Sequence, residues 1–255
     1  MILVATGLKR EARILAGPGV RVVAGGGDSA RLERELEAGA SEASAIISMG
    51  LCGALADGLK PGDWVVGTDL IHRSPRRMPG PRSYGSEAES LARLPEGVVH
   101  YDLDPGIRRE ERVLCDPAWG ATLGQTLNAR TGPVFASDAM LADTAAKREA
   151  HAATGAIAVD MESHIAAAVA ARHGLPFAIA RVVSDAADRS LPNAAQAGMA
   201  PDGSMDIAAV LRALARDPRQ LPALIRVGRE AETAFRALGR GRDLLGPRIG
   251  RLDLG

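Results

Sequence analysis

The chain has 255 residues, 46% of them hydrophobic, enough to bury the core of one globular domain. Its 31 Lys and Arg balance its 31 Asp and Glu, so no whole-molecule field recruits nucleic acid or an anionic membrane. Cys52 and Cys115 form no C-x-x-C pair, which argues against a disulfide framework or a Cys-based zinc site and fits a reducing compartment.

In chain order, the N-terminus turns polar at Lys9, Arg10 and Glu11, too soon for a secretory leader, and no apolar run approaches the ~20 residues of a membrane span. The expectation is a cytoplasmic protein. Short β-branched and apolar runs at 2–5, 20–24, 45–48, 64–66, 133–136, 156–159 and 177–183 predict strands buried on both faces of a sheet. Helical patterns at 28–40, 143–153 and 162–172 fall between them, the last stopped by Gly174 and Pro176. Strands alternating with helices imply a three-layer α/β fold, in one domain spanning 1–255. Residues 73–84 (RSPRRMPGPRSY) carry three prolines and four arginines without a hydrophobic period and read as a surface loop. From Asp206 onward two amphipathic helices, broken at Asp217-Pro218, form a C-terminal extension (206–255) packed on the domain through Leu221, Leu224, Ala231, Phe235 and Leu238. This extension carries ten arginines against six acids, which read as a solvated face, with contact to a bilayer surface as the alternative.

Three strand ends carry polar groups, where open α/β sheets hold their ligands. The first leads through Thr6 and Gly7 to Glu11, which by itself is a first-turn acid favoured by the helix dipole. The second is Asp160-Met161-Glu162; two carboxylates beside an apolar strand need partners, and capping explains one of them better than both. The third is Ser184-Asp185, ending the most apolar strand, where burial can fit an Asp to deliver a proton near neutral pH. Of the glycine clusters, Gly25-Gly26-Gly27-Asp28-Ser29-Ala30 formally matches a dinucleotide fingerprint on Gly25, Gly27 and Ala30. No acid closes the next strand to hold a ribose, so a tight strand-to-helix turn is the better reading. Gly50-Leu51-Cys52-Gly53 reads as a second turn, where glycines admit close backbone approach. The five histidines lack metal-binding spacing, and no metal is expected.

Taken together, these segments resemble the nucleoside phosphorylase and nucleosidase superfamily that includes methylthioadenosine/S-adenosylhomocysteine nucleosidase. The resemblance runs from residue 2 to about 188 and rests on Gly50-Leu51-Cys52-Gly53-Ala54-Leu55, Leu59-Lys60-Pro61-Gly62-Asp63, Asp160-Met161-Glu162 and Ser184-Asp185-Ala186-Ala187-Asp188. It implies a central mixed, twisted sheet and a homo-oligomer, a homodimer or larger. Ser190-Leu191-Pro192 and the segment 220–226 are similar to the hopanoid-associated branch, which implies adenosylhopane as substrate and release of adenine.

The resemblance also implies roles. Asp185, beside Ser184, would protonate the leaving base, a step worth typically ~10²–10⁴-fold. Glu162 would accept the ribose hydroxyls and stabilise an oxocarbenium-like transition state, with Met161 packed under the sugar. Met140 and Leu141 would line the base site, Met140 standing where the nucleosidases place an aromatic ring. Gly50, Leu51, Cys52 and Gly53 would contribute to the substrate-binding site. Glu11 stands where the nucleosidases hold the water-activating glutamate and the hexameric phosphorylases hold a phosphate-binding arginine, so hydrolysis is favoured over phosphorolysis. Phosphate as co-substrate stays open, since Arg73, Arg76, Arg77 and Arg82 could supply it from the loop. No cofactor is implied. A distant alternative is an NAD-dependent oxidoreductase on the glycine fingerprint, and a third is a ligand-binding protein without turnover. A lipid-linked nucleoside would bring the protein to the inner face of a membrane as a peripheral contact.

Overall fold

The computed structural model describes residues 1–73, 98–101, 110–197, 206–247 and 249–250. Beyond Arg73, the proline- and arginine-rich segment lies outside the described residues.

The chain alternates β1 (Ile2–Thr6), α1 (Lys9–Leu15), β2 (Val20–Ala24), α2 (Ser29–Ala40), β3 (Ala45–Ala54), β4 (Trp64–Arg73), β5 (Val98–Tyr101), β6 (Glu110–Leu114), α3 (Pro117–Leu127), β7 (Arg130–Ala136), α4 (Thr144–Thr154), β8 (Ala158–Asp160), α5 (Ser163–Arg172) and β9 (Phe177–Asp185). Three further helices follow: α6 (Asn193–Ala197), α7 (Ile207–Arg216) and α8 (Leu221–Leu245). The strands join in the order β2-β1-β3-β8-β7-β4-β6-β5, and β9 pairs with both β3 and β4. That double pairing closes β3, β8, β7, β4 and β9 into a ring, with parallel pairs β3–β9, β7–β8 and β4–β7 and antiparallel pairs β3–β8 and β4–β9. The sheet is mixed, as the resemblance implied.

Both faces of the sheet are covered, which is why its strands read as continuous apolar runs. Ile46, Ile179 and Val183 pack with Leu32 and Leu36 of α2 and Ile165 and Val169 of α5. Their chain neighbours Ile47, Ala180 and Val182 point the other way, into Leu15 of α1, Trp119 and Leu123 of α3, and Leu238 of α8. The helix starts are set by local chemistry: Asp28, Asp116 and Asp143 each accept a backbone N–H from three residues on, at 2.9, 2.9 and 2.8 Å.

Several elements differ from the sequence reading. The Gly50–Gly53 stretch is not a turn: β3 runs on to Ala54, because β9 pairs along it and β8 takes over at Gly53 and Ala54. Strands β5 and β6 and helix α3 were not foreseen. Leu221 is 45% exposed, and the buried face of α8 begins only at Ala234. From there the helix is anchored at close range. A Cβ on Gly241 would lie 2.2 Å from Trp64 Cζ2, Arg242 Nε donates to Leu15 O at 3.0 Å, and Trp119 Nε1 donates to Ile249 O at 2.8 Å. Helix α7 buries no residue.

Candidate active site

The ends of β1, β2, β3, β7, β8 and β9, with residues of α1, α6 and α8, enclose a cavity of about 250 Å³. Its walls include Glu11, Leu51, Cys52, Gly53, Met140, Leu141, Met161, Glu162, Ser184 and Asp185, so the residues singled out in the sequence converge, and only Gly50 stands behind the wall. Gly26 and Gly27, in left-handed conformations at φ 65° and 81°, form the β2–α2 turn and also line it. Leu191, Ala195, Val227, Ala231 and Phe235 close one side with apolar surface.

Glu11 is 2% exposed and, among the described residues, forms no ion pair within hydrogen-bond reach. Its Oε2 accepts from Thr6 Oγ1 at 2.6 Å, Gly7 N at 2.9 Å and Leu8 N at 2.6 Å, while among the described residues Oε1 accepts only from Leu51 N at 2.7 Å. The first three come from the β1–α1 turn and the fourth from β3, so β3 aims Oε1 and leaves it room for one more proton. Gly50 is required by this approach: a Cβ there would lie 2.7 Å from Thr6 Oγ1 and 3.0 Å from Glu11 Oε1.

Past β8, the two acids divide their work. Asp160 caps α5, accepting from Ser163 N at 3.0 Å and from Ser163 Oγ, and it lies 2.7 Å from Arg181 Nε. Glu162 takes no cap bond; its side chain is 13% exposed and its Oε2 lies 3.2 Å from Arg181 Nη2. Burial pushes the Glu162 carboxyl up to about 7, with Asp160 and Glu11 adding to the rise and Arg181 opposing it. Arg181 itself is fully buried, also donating to Ser48 Oγ at 2.5 Å and Leu51 O at 3.3 Å. Sequence reasoning missed it, although a lone cation in the apolar run 177–183 requires buried acids as partners.

At the end of β9, the β3–β9 register jumps from Cys52↔Val183 to Gly53↔Asp185, making Ser184 the extra residue of a bulge. The bulge turns both side chains to the cavity, with Ser184 Oγ 2.7 Å from Asp185 Oδ1 and 3.0 Å from Cys52 O. Asp185 Oδ2 accepts from Lys147 Nζ at 2.5 Å, a second partner missed in the sequence because Lys147 sits among alanines in α4 with nothing to mark it. Burial pushes the Cys52 thiol up, so it stays neutral.

Among the described residues, one group outside the cavity wall has metal-ligand chemistry: His72, Asp138 and His164, whose ligand atoms lie within 4.8 Å of one another. The two imidazoles stack in parallel, 4.5 Å apart at 11°, rather than converging. The loop arginines Arg76, Arg77 and Arg82 and the Arg73 side chain lie outside the described residues. No helix among the described residues is long and apolar enough to cross a membrane.

The sequence model of the Phosphorylase superfamily matches residues 8–216. Among solved structures, the chain is similar to 5′-methylthioadenosine/S-adenosylhomocysteine nucleosidase from Helicobacter pylori bound to butyl-thio-DADMe-Immucillin-A, at 15% identity over 98% of each chain with a TM-score of 0.61. The corresponding Neisseria meningitidis nucleosidase with methylthio-immucillin-A gives 16% identity, 96% and 97% coverage of this chain and that one, and a TM-score of 0.56. S-adenosylhomocysteine nucleosidase from Streptococcus pyogenes with 5-methylthiotubericidin gives 22%, 73%, 84% and 0.54. At these identities the likeness is one of fold. No curated protein matches.

Proposed function

Because the chain belongs to the phosphorylase superfamily, we propose that it is a nucleosidase that hydrolyses the N-glycosidic bond of an adenosine-type nucleoside. The observation that carries this reading is the convergence of Glu11, Glu162 and Asp185, from three different strand ends, on one cavity whose described wall contains no Lys or Arg. Phosphate there would face carboxylates with no lining cation, whereas water suits them.

In the proposed reaction the C1′–N9 bond breaks with its electron pair going to the base, and Asp185 delivers a proton to the imidazole ring of the departing adenine. Ionised Glu162 accepts the ribose hydroxyls and faces the positive charge developing at the sugar. Water attacks C1′ and loses its proton to Oε1 of Glu11, the oxygen with only one donor. Acid, base and electrostatic partner are all side chains, so the reaction as proposed uses no cofactor and no metal.

The apolar side formed by Leu191, Ala195, Val227, Ala231 and Phe235 suits an aliphatic 5′ substituent and supports adenosylhopane as the substrate. Helix α8 also carries exposed Leu221 and Ile225, α7 carries exposed Ile207 and Leu211, and Arg212, Arg216, Arg219 and Arg226 are exposed in the same stretch of chain. We read these exposed groups as the contact with an anionic bilayer bearing a lipid-linked nucleoside.

The test is adenine release by the purified protein from adenosine, methylthioadenosine and adenosylhopane in anionic vesicles, each with and without phosphate. Release without phosphate is expected; strict dependence on phosphate would replace the hydrolase with a phosphorylase. On vesicles, release should slow when Arg212 and Arg216 become serine, and an unchanged rate would remove the bilayer contact.

A further inference from the structure

The proposed acid does not stand alone. Lys147, on α4, is fully buried, and its ammonium is saturated: Nζ donates to Asp185 Oδ2 at 2.5 Å, to Ala186 O at 2.9 Å and to Arg189 O at 3.0 Å. An ammonium has three protons, and all three are spent on acceptors of one short segment, 185–189. Such a cation is expensive to bury without a purpose, since an apolar side chain of the same length would pack there at no desolvation cost.

Its position relative to the chemistry is specific. Asp185 has two oxygens, and Lys147 occupies one of them from the side of α4. Oδ1 is left to Ser184 and the cavity. Helix α4 begins directly after the segment holding Met140 and Leu141, so one element both ends the base-site wall and anchors the acid. The other charged groups are otherwise engaged: Asp160 and Glu162 by Arg181, and Glu11 by its four donors. Cys52, from β3, is an uncharged thiol, and the Asp188–Arg189 pair is exposed.

We propose that Lys147 is the positioning residue of leaving-group protonation, fixing Oδ2 of Asp185 and holding a positive charge where the carboxylate forms. This rests on the nucleosidase reading above. When Asp185 passes its proton to the departing base, it becomes an anion; Lys147 is already aimed at that anion, so the charge appears beside a preorganised cation. Lys147 therefore strengthens the acid through the anion that transfer leaves behind.

The experiment is a pH profile of kcat for adenine release in wild type, Lys147→Met, Lys147→Arg, Asp185→Asn and the double variant Lys147→Met/Asp185→Asn. In Lys147→Met the plateau should fall about 10- to 100-fold and the alkaline limb should move to higher pH, because the charge facing the carboxylate is gone. Lys147→Arg keeps the charge, so its limb should stay near wild type even if its rate falls. That variant also serves if Lys147→Met fails to fold. In the Asp185→Asn background, Lys147→Met should cost less than a further twofold, since its target is gone. An unmoved limb in Lys147→Met, a displaced limb in Lys147→Arg, or losses that multiply in the double variant would each reduce Lys147 to a structural role. A wild type that releases no adenine from any nucleoside would instead overturn the nucleosidase reading itself.

Discussion

Glu162→Gln separates function from stability at a single carboxyl. Glu162 is pushed from the ordinary 4.5 to about 7, chiefly by burial, with Asp160 and Glu11 adding to the rise and Arg181 opposing it. At about 1.4 kcal/mol per pH unit, ionising it in the fold costs about 3 kcal/mol more than in water. The proposed reaction needs the ionised form to face the sugar. At pH 5, about two units below the midpoint, about 1% of Glu162 is ionised, so kcat/KM on methylthioadenosine should be about 100-fold below its plateau at pH 8. In Glu162→Gln that acid limb should vanish and the plateau should fall about 100-fold or more. Stability carries the opposite sign. A carboxyl raised on folding contributes its stability below about 4.5 and loses it as pH rises through about 7, so above pH 7 the neutral Gln should melt higher than wild type, by up to about 3 kcal/mol. Calorimetry at pH 5 and pH 8 reads this directly. A wild-type rate that stays flat down to pH 5, or a Glu162→Gln variant that keeps the limb, would refute the assignment.

Gly50→Ala places a Cβ 2.7 Å from Thr6 Oγ1 and 3.0 Å from both Glu11 Oε1 and Arg181 Nη1, so the base must swing away. We expect kcat to fall about 100-fold with KM changed far less, and full activity in steady-state assays would show that Glu11 is not needed where the structure puts it. Arg181→Met leaves Asp160 and Glu162 buried without their cation and should cost about 3–5 kcal/mol in urea unfolding. A cost below about 1 kcal/mol would mean that those acids are neutral in the fold.

The fold was legible wherever burial wrote itself into composition. The run 177–183 reappears at the start of β9, because a strand covered on both faces is apolar apart from the buried Arg181, and the run 20–24 matches the bounds of the edge strand β2 although its Arg21 is exposed. Asp28 and Asp143 marked helix starts because a cap is a local interaction within three residues. The continuation of β3 through Gly50 and Gly53 was hidden, since glycine reads as a turn unless the neighbouring strand is known. The site divided in the same way. Glu11, Glu162 and Asp185 stood at strand ends and could be singled out; Arg181 and Lys147 sit inside elements, and their meaning lies in partners distant in sequence, 38 residues away for Lys147 and Asp185 and 133 for Arg181 and Ser48.

Four carboxylates around one cavity would repel one another if their surroundings were alike, and three different surroundings let them coexist. Asp160 and Glu162 share one buried guanidinium; the closer of the two, at 2.7 Å, also caps a helix, and the farther, at 3.2 Å, is pushed up to about 7. Among the described residues Glu11 has no ion-pair partner within hydrogen-bond reach and is satisfied by three backbone N–H groups and a hydroxyl, which leave Oε1 with a single donor. Asp185 has a lysine of its own on the far side from the cavity. The proposed base, counter-charge and acid need different environments, which a β1–α1 turn, a buried strand arginine and a helix lysine provide. The two cations stabilise the cluster from behind and leave the cavity wall anionic, which is the arrangement expected of a site that meets a developing sugar cation and a water rather than a phosphate.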